Sequence, residues 1–200
     1  MTRPRNPKSK AKILELAIPL FAQSGFAGVS MRDIAKKVGV SAASLYHHFP
    51  DKQTLYLQAM AQAFEAKAEG FKVVLSATGS AEQRLEKFVA TFTKLMSEDP
   101  DFRALLQREL LDGDDTRLKL LAEQVFQEPF AAMGDLASEL VPHCDAHMVA
   151  ISIASLILYH LETAPIRRFL PGGKAKHDKP TVIARHVTHL LLHGLKGCGK

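Results

Sequence analysis

The sequence is poor in the residues that define several classes of protein. It has no Trp, only two Cys, and 7% aromatic residues in a chain of 200. Two isolated thiols, Cys144 and Cys198, favour a reducing cytoplasm over a disulfide framework. The longest apolar run, about residues 148–159, is shorter than the roughly 20 residues that cross a bilayer. We therefore expect this run to be a buried helix.

Alternation of apolar and polar residues with a period of two is also missing, so no β-strand is predicted. Apolar residues recur three or four positions apart instead, as on the buried face of a helix. Phe102, Leu105, Leu106 and Leu110 mark one such face, residues 116–140 predict one long helix, and residues 165–179 predict a loop. The sequence thus predicts an all-α fold.

Positive charge is concentrated at the N-terminal end of the chain. Residues 1–54 hold nine Lys and Arg against three Asp and Glu, whereas the remaining 17 bases and 18 acids nearly cancel. A local excess of base is typical of a surface that meets phosphates. Residues 1–9 are basic, contain two Pro, and predict a disordered arm that either follows DNA or only aids solubility.

Residues 30–49 predict two short helices joined by a tight turn. Ser30 and Asp33 match a capping box, and Gly39 suits the left-handed conformation that often ends a helix. Ser41 then matches the cap of a second helix. Two helices joined in this way form a helix-turn-helix unit, whose second helix enters the DNA major groove. An ordinary helical hairpin with a polar outer face is the alternative.

The second helix has no carboxylate in its first turn, only Ala42, Ala43 and Ser44. Its positive end is therefore left open, which suits a helix aimed at phosphates. Tyr46 and two histidines then follow with donors and flat rings. These features favour DNA as the partner.

The run Ser30-x-Arg-Asp-Ile-Ala, followed by Val-Gly-Val-Ser-x-x-Ser-Leu-Tyr-x-His-Phe-x-x-Lys, resembles the DNA-binding domain of TetR-type (TetR/AcrR-like) bacterial transcriptional regulators. The resemblance extends from about Ala11 to Met60. It implies an N-terminal three-helix bundle with the helix-turn-helix over residues 10–54. It also implies a C-terminal helical domain for ligand binding and dimerisation over residues 55–200.

Carried over position by position, the resemblance assigns contacts with the DNA backbone to Tyr46, His48 and Lys52. Other positions are expected to face base edges or nearby phosphates: Ser30, Arg32, Ser41, Ala42, Ala43, Ser44 and His47. Arg32 can read a guanine bidentately, whereas an alanine methyl can only touch a thymine methyl. The operator sequence does not follow from these residues.

The resemblance implies a repressor that binds a palindromic operator as a dimer and is released by a small molecule. Candidate lining residues for that effector are Phe88, Phe92, Met96, Phe126, Phe130 and Met133. Aromatic and Met residues at helical spacing are also typical of plain core. The dimer is expected to form through the two last long helices, about residues 145–161 and 181–195. Burial of these helices in a monomeric core is the alternative.

Two groups of residues have spacings that suit a transition metal. They are His143, Cys144 and His147, and His186, His189 and His193. The first group lacks an obvious fourth ligand. The second falls at the predicted dimer seam, where it could instead make dimerisation sensitive to pH. We predict no metal site and no cofactor.

Two rival classes of function explain less of the sequence. A helical metal-dependent hydrolase would use these histidines, but a carboxylate-rich ligand motif, a Gly-rich phosphate loop and a nucleophile signature are missing. A non-specific architectural DNA binder would not need a large apolar second domain. We therefore predict a cytoplasmic DNA-binding regulator without enzymatic activity.

Overall fold

The computed structural model describes residues 9–75 and 77–195. Every element in these two ranges is helical, which confirms the predicted all-α fold. The predicted arm, apart from Ser9, lies outside the described residues, as does Cys198. None of the described helices combines the length and the apolarity needed to cross a membrane.

The elements follow one another in a simple order. The α-helices are α1 (Lys10–Ser24), α2 (Met31–Val38), α3 (Ala42–His48), α4 (Lys52–Leu75), α5 (Ala81–Glu98), α6 (Pro100–Asp112), α7 (Asp115–Leu121), α8 (Gln127–Leu140), α9 (Ala146–Glu162), α10 (Ala164–Arg167) and α11 (Pro180–Leu195). A π-helical segment, Ala122–Phe126, joins α7 to α8, and a 3-10 turn, Ala175–Asp178, precedes α11.

The chain divides into two compact units. Unit 1 takes in the chain as far as Ala66 together with Pro100–Phe126, and unit 2 takes in Lys67–Asp99 and the chain from Gln127 onward. Unit 1 thus joins the predicted DNA-binding helices to α6 and α7, which are distant in sequence. The functional division at residues 54 and 55 stays a prediction.

Helix α1 of unit 1 begins at a serine cap and presents one apolar face to the core. Ser9 caps α1 by accepting a hydrogen bond from the backbone nitrogen of Lys12, at 3.4 Å. Ile13, Ala17 and Phe21 are fully buried, because their three- and four-residue spacing places them on one face. This face forms one wall of the unit 1 core.

Helix α6 packs along α1 and covers its carboxyl end. Arg108 donates from Nε to the Ala22 carbonyl at 2.8 Å and from Nη2 to the Gln23 carbonyl at 3.0 Å. These two carbonyls lie in the last turn of α1, where intrahelical partners run out. The prediction that Leu110 lies on the buried face of α6 is wrong. Leu110 is 62% exposed, whereas its neighbour Glu109 is only 1% exposed. A carboxylate is buried when partners satisfy it, and Glu109 has two.

The predicted single helix over residues 116–140 is also interrupted. The π-helical segment ends at Phe126, where unit 1 gives way to unit 2. A π turn accommodates one extra residue, which a regular apolar spacing in the sequence does not reveal. The predicted loop over residues 165–179 is partly helical, because it overlaps α10, which has a Pro in its first turn, and includes the 3-10 turn.

Unit 2 packs α5, α8, α9 and α11 around a core of aliphatic and aromatic side chains. Ser80 and Gln83 form the capping box that starts α5. Three phenylalanines, Phe71, Phe88 and Phe92, lie with ring centroids between 5.3 and 5.7 Å apart. The aliphatic part of the core includes Leu85, Val89, Ile153, Ile157, Val187 and Leu191.

Helices α9 and α11 also carry apolar side chains that stay exposed. On α9 these are Met148, Ile151 and Tyr159, the last of them 72% exposed, and on α11 Leu190 is 45% exposed. Asp145 caps α9 by accepting hydrogen bonds from two backbone nitrogens of its first turn. Both helices thus contribute to the unit 2 core with one face and present apolar surface on another.

Candidate nucleic-acid interface

Helix α2 begins with the predicted capping box. The backbone nitrogen of Asp33 donates to Ser30 Oγ at 3.2 Å, and the Ser30 backbone nitrogen donates to Asp33 Oδ2 at 2.9 Å. The Ser30 hydroxyl also donates to this carboxylate. Hydrogen bonds from the Ser30 side chain and backbone lower the pKa of Asp33. Both donors of Ser30 are therefore directed at Asp33, and a contact of Ser30 with a phosphate stays a prediction.

The turn between α2 and α3 has the predicted geometry. Gly39 adopts φ 80° and ψ 35°, the left-handed conformation that glycine reaches without a steric penalty, and its backbone nitrogen donates to the Ala35 carbonyl at 2.8 Å. Ser41 then caps α3, because its Oγ accepts from the Ser44 backbone nitrogen at 3.1 Å. The first turn of α3 contains no acidic residue. Its positive end is therefore not neutralised by a carboxylate of its own first turn.

The buried faces of these helices explain how α3 is held. Ile34 and Val38 of α2, Leu45 of α3 and Phe49 at its end are all fully buried. The remaining faces of α3 are left for solvent or a partner. The predicted DNA contacts that are exposed are Ser30, Arg32, Ser41, Ala43, Tyr46 and His47, and those that are half-buried are Ala42, Ser44, His48 and Lys52.

An open groove brings together four of the predicted contacts. Residues 27–33 form its floor and walls with Tyr46 and Lys52, and its volume is about 590 Å³. We call it the α2 groove. Ser30, Arg32, Tyr46 and Lys52 lie within it, although they come from three successive parts of the chain. Tyr46 is 52% exposed, so its hydroxyl can reach a partner.

Lys52 is more constrained than the sequence suggested. Its Nζ donates to the Phe26 carbonyl at 2.8 Å and lies 4.2 Å from the centroid of the Phe26 ring. A cation at the start of a helix opposes the helix dipole, and this carbonyl offsets part of that cost. An ammonium has three donors, so the bond to Phe26 leaves two that can serve a phosphate.

Sequence reasoning missed a buried polar cluster in unit 1. Glu109 accepts from the Tyr56 hydroxyl at 2.7 Å and from Arg117 Nε at 2.9 Å. Burial, followed by the hydrogen bond to Glu109, raises the pKa of Tyr56, so its hydroxyl stays protonated. The only sequence signal was a Glu and an Arg eight positions apart beside apolar residues, which does not single out this cluster.

The predicted effector residues are divided between the two units. Phe88, Phe92, Met96 and Met133 are buried in unit 2, and Phe130 is half-buried with its ring 5.2 Å from that of His147. Phe126 belongs to unit 1, where its ring lies edge-on to Phe64 at 5.2 Å. The effector site therefore stays a prediction. Phe126 lies in a different unit from the other five candidate residues.

The two histidine groups are the candidate metal ligands. Within residues 9–75 and 77–195, no group of three or more His, Cys, Asp or Glu side chains is placed to hold a metal ion. The rings of His189 and His193 lie 4.0 Å apart, and that of His186 lies 5.4 Å from His160. Burial, with smaller contributions from the charges of His186 and Arg167, lowers the pKa of His160.

The fold and the groove define a class of protein, namely helix-turn-helix proteins with a second helical unit. Residues 13–59 match the family model described as "Bacterial regulatory proteins, tetR family". This match covers the helix-turn-helix, so residues 13–59 are similar to the DNA-binding domain of TetR-type transcriptional regulators. The resemblance drawn from residues 11–60 is thereby confirmed.

Individual relatives match parts of the chain. IcaR of Staphylococcus aureus (strain Newman), the "Biofilm operon icaADBC HTH-type negative transcriptional regulator", is 43% identical over 56 residues, which cover 28% of this chain and 30% of IcaR. The "Nucleoid occlusion factor SlmA" of Marinobacter nauticus is 27% identical over 123 residues, 62% of this chain and 63% of SlmA. The chain thus spans less than two thirds of either relative.

The fold extends beyond these segments. The crystal structure of the transcriptional regulator FadR from Bacillus subtilis in complex with stearoyl-CoA has a TM-score of 0.77 to this chain. The match covers 93% of this chain and 99% of FadR at 16% sequence identity. The two proteins therefore share a fold.

Proposed function

We propose that this protein is a sequence-specific transcriptional repressor that binds a palindromic DNA operator as a dimer and is released by a small molecule. The observation that carries the proposal is the α2 groove beside a helix, α3, with no carboxylate in its first turn. The match of residues 13–59 to the family model supports it independently. The protein would act in the cytoplasm, where such regulators meet their operators.

Helix α3 would enter the major groove of DNA, and Tyr46, His48 and Lys52 would bind the sugar-phosphate backbone. Phosphate contacts fix the register of a protein on DNA, whereas contacts with base edges provide specificity. Arg32, Ser44 and His47, with the methyl groups of Ala42 and Ala43, are the proposed base contacts. Arg32 is exposed within the α2 groove, so its guanidinium can turn toward a guanine.

Dimerisation would use the exposed apolar side chains of α9 and α11. One helix-turn-helix buries too little surface for specific binding, so two copies reading two half-sites are expected. A second copy that covered Met148, Ile151, Tyr159 and Leu190 would remove apolar surface from water. The symmetry of a palindrome would then match that of the dimer.

The effector would bind in unit 2, near the phenylalanine cluster formed by Phe71, Phe88 and Phe92. Its identity does not follow from these residues. Acyl-CoA thioesters are the first compounds to test, because FadR of Bacillus subtilis was crystallised with stearoyl-CoA and because an acyl chain suits an aromatic lining.

The experiment that tests the proposal is a selection of random DNA duplexes on the purified protein, followed by titration of the enriched sequence. We expect a palindrome bound at nanomolar concentration. The combined variant Tyr46→Phe and Lys52→Ala should lose most of this affinity, whereas Lys94→Ala, which removes an exposed charge on α5, should retain it. If no sequence is enriched, the proposal fails in favour of non-specific DNA binding.

A further inference from the structure

One aromatic ring in unit 1 is shared by two cations. Lys52 Nζ and the guanidinium carbon of Arg117 each lie 4.2 Å from the centroid of the Phe26 ring. The face of an aromatic ring attracts a cation, but two cations at the same ring also repel each other. Such an arrangement persists only when other groups hold each cation in place.

Each cation has such a group. The Phe26 carbonyl accepts from Lys52 at 2.8 Å. Glu109, which is 1% exposed, accepts from Arg117 at 2.9 Å, and Asp114 lies 3.5 Å from the same guanidinium. Arg117 is itself nearly buried, so its position is set by these carboxylates rather than by solvent.

The ring itself is fixed from a further side. Tyr56 lies edge-on to Phe26 at 5.2 Å, and its hydroxyl donates to Glu109 at 2.7 Å. Phe21 stacks near Phe26 at 6.4 Å and lies edge-on to Tyr56 at 4.9 Å. The contacts thus run from Glu109 through Arg117 and Tyr56 to Phe26, and from Phe26 to Lys52.

We propose that Glu109 and Arg117 are positioning residues for DNA binding, which hold Phe26 and thereby set Lys52 in the α2 groove. This inference rests on the proposed function, because it assigns Lys52 a phosphate partner. Neither positioning residue touches DNA. They would affect DNA binding because Phe26, through its carbonyl and its ring, holds the Lys52 ammonium. In this way α6 and α7 would help to position a DNA contact of the helix-turn-helix in the same unit.

The test replaces the pair with neutral residues. Arg117→Met alone would leave a buried carboxylate unpaired, whereas removing both charges of a buried pair is often tolerated. The test variant is therefore Glu109→Gln with Arg117→Met, in which the amide oxygen still accepts from Tyr56. The matched control is Lys119→Met with Glu123→Gln, which removes an exposed pair 3.9 Å apart and leaves the same net charge.

Affinity is measured with a labelled duplex of mixed sequence, about 30 base pairs long, at several salt concentrations, because the slope of log affinity against log salt counts phosphate contacts. Lys52→Ala should make this slope less negative by about 0.9 for each bound protomer. It should also weaken binding about tenfold. The variant with Glu109→Gln and Arg117→Met should, like Lys52→Ala, bind DNA more weakly and show a less negative slope. The control with Lys119→Met and Glu123→Gln should match the wild type.

The decisive arm adds Lys52→Ala to the pair variant. If the pair acts through Lys52, the triple variant binds no more weakly than Lys52→Ala alone, since coupled residues are not additive. A folded pair variant with wild-type slope, or a triple variant whose losses multiply, would overturn the inference. If the pair variant does not fold, Arg117→Lys gives the same readout, and wild-type binding by it would likewise count against the inference.

Two further outcomes are distinct from these. If the wild type itself shows no salt-dependent binding to the duplex, the protein does not bind DNA and the proposed function fails together with the inference. If the wild type binds but Lys52→Ala changes neither slope nor affinity, Lys52 has no phosphate partner and the inference alone fails. Thermal unfolding of every variant, followed by circular dichroism, separates lost binding from lost structure.

Discussion

The two units bury different kinds of polar group. Among the described residues, the buried charged side chains are Glu109 and Arg117, both in unit 1. The buried polar side chains of unit 2 are threonines, Thr93 and Thr188, and Thr93 is satisfied by a carbonyl four residues earlier in its own helix. Unit 1 thus depends on specific partners distant in sequence, and unit 2 on apolar volume.

This difference matches what each unit is proposed to do. A surface that fits DNA must hold its groups in one geometry, and a buried ion pair with defined hydrogen bonds permits few alternatives. An apolar core accepts other side chains of similar volume with modest losses. Such a core can also adjust around an effector, so the phenylalanine cluster suits the proposed role of unit 2.

The largest expected effect breaks the ion pair of unit 1. Arg117→Met leaves Glu109 buried without its cation and should lower the free energy of unfolding by about 3–5 kcal/mol. Urea denaturation followed by circular dichroism measures this change. Adding Glu109→Gln to Arg117→Met should recover most of the lost stability. A loss below about 1 kcal/mol for Arg117→Met alone would be typical of an exposed ion pair and would contradict this expectation.

The apolar core of unit 2 should respond less to a change of shape. Ile153 is fully buried on α9, and Ile153→Leu conserves its volume. We expect a loss below about 1.5 kcal/mol in the same urea experiment. A loss as large as that of Arg117→Met would contradict the distinction between the units.

The turn of the helix-turn-helix sharpens the comparison at the level of the backbone. Gly39→Ala places a Cβ at φ 80° and should cost about 1 kcal/mol, with weaker DNA binding because α2 and α3 are reoriented. Gly134→Ala is the matched control, since this helical glycine has open space around it and should gain about 0.5–1 kcal/mol. Equal effects of the two substitutions would speak against a conformational cause.

The smallest expected effect concerns pH in unit 2. The lowered pKa of His160 means that the folded state binds fewer protons than the unfolded state just below the ordinary value of 6.5. Its contribution to stability is therefore present above pH 6.5 and is lost as the pH falls through this range. The free energy of unfolding of the wild type should therefore fall relative to that of His160→Gln as the pH drops below 6.5. A difference between the two proteins that does not vary with pH would show that His160 does not contribute in this way.

Local rules were enough to predict the helix-turn-helix. The capping box at Ser30, the left-handed Gly39 and the cap at Ser41 each depend on residues within four positions, and the structure confirms all three. The family resemblance then supplied the candidate contacts, which local geometry alone could not assign.

The features that the sequence did not predict depend mainly on contacts between distant parts of the chain. Glu109 is buried because Tyr56, 53 residues earlier, and Arg117 satisfy it, and no pattern within α6 indicates this. The spacing of apolar residues predicted that Leu110 would be buried, but it is exposed. The π-helical segment was missed because one extra residue hardly disturbs an apolar pattern. The placement of Lys52 was missed because its acceptor, the Phe26 carbonyl, belongs to the backbone.

The discontinuity of unit 1 has a consequence for anyone who recombines such proteins. A graft of residues 1–66 onto another scaffold would leave behind Arg108, which covers the end of α1, and Glu109, which accepts from Tyr56. A chimera that exchanges DNA specificity should therefore transplant residues 100–126 as well. Among descendants of this chain, the two segments should be inherited together although residues 67–99 of unit 2 separate them in the gene.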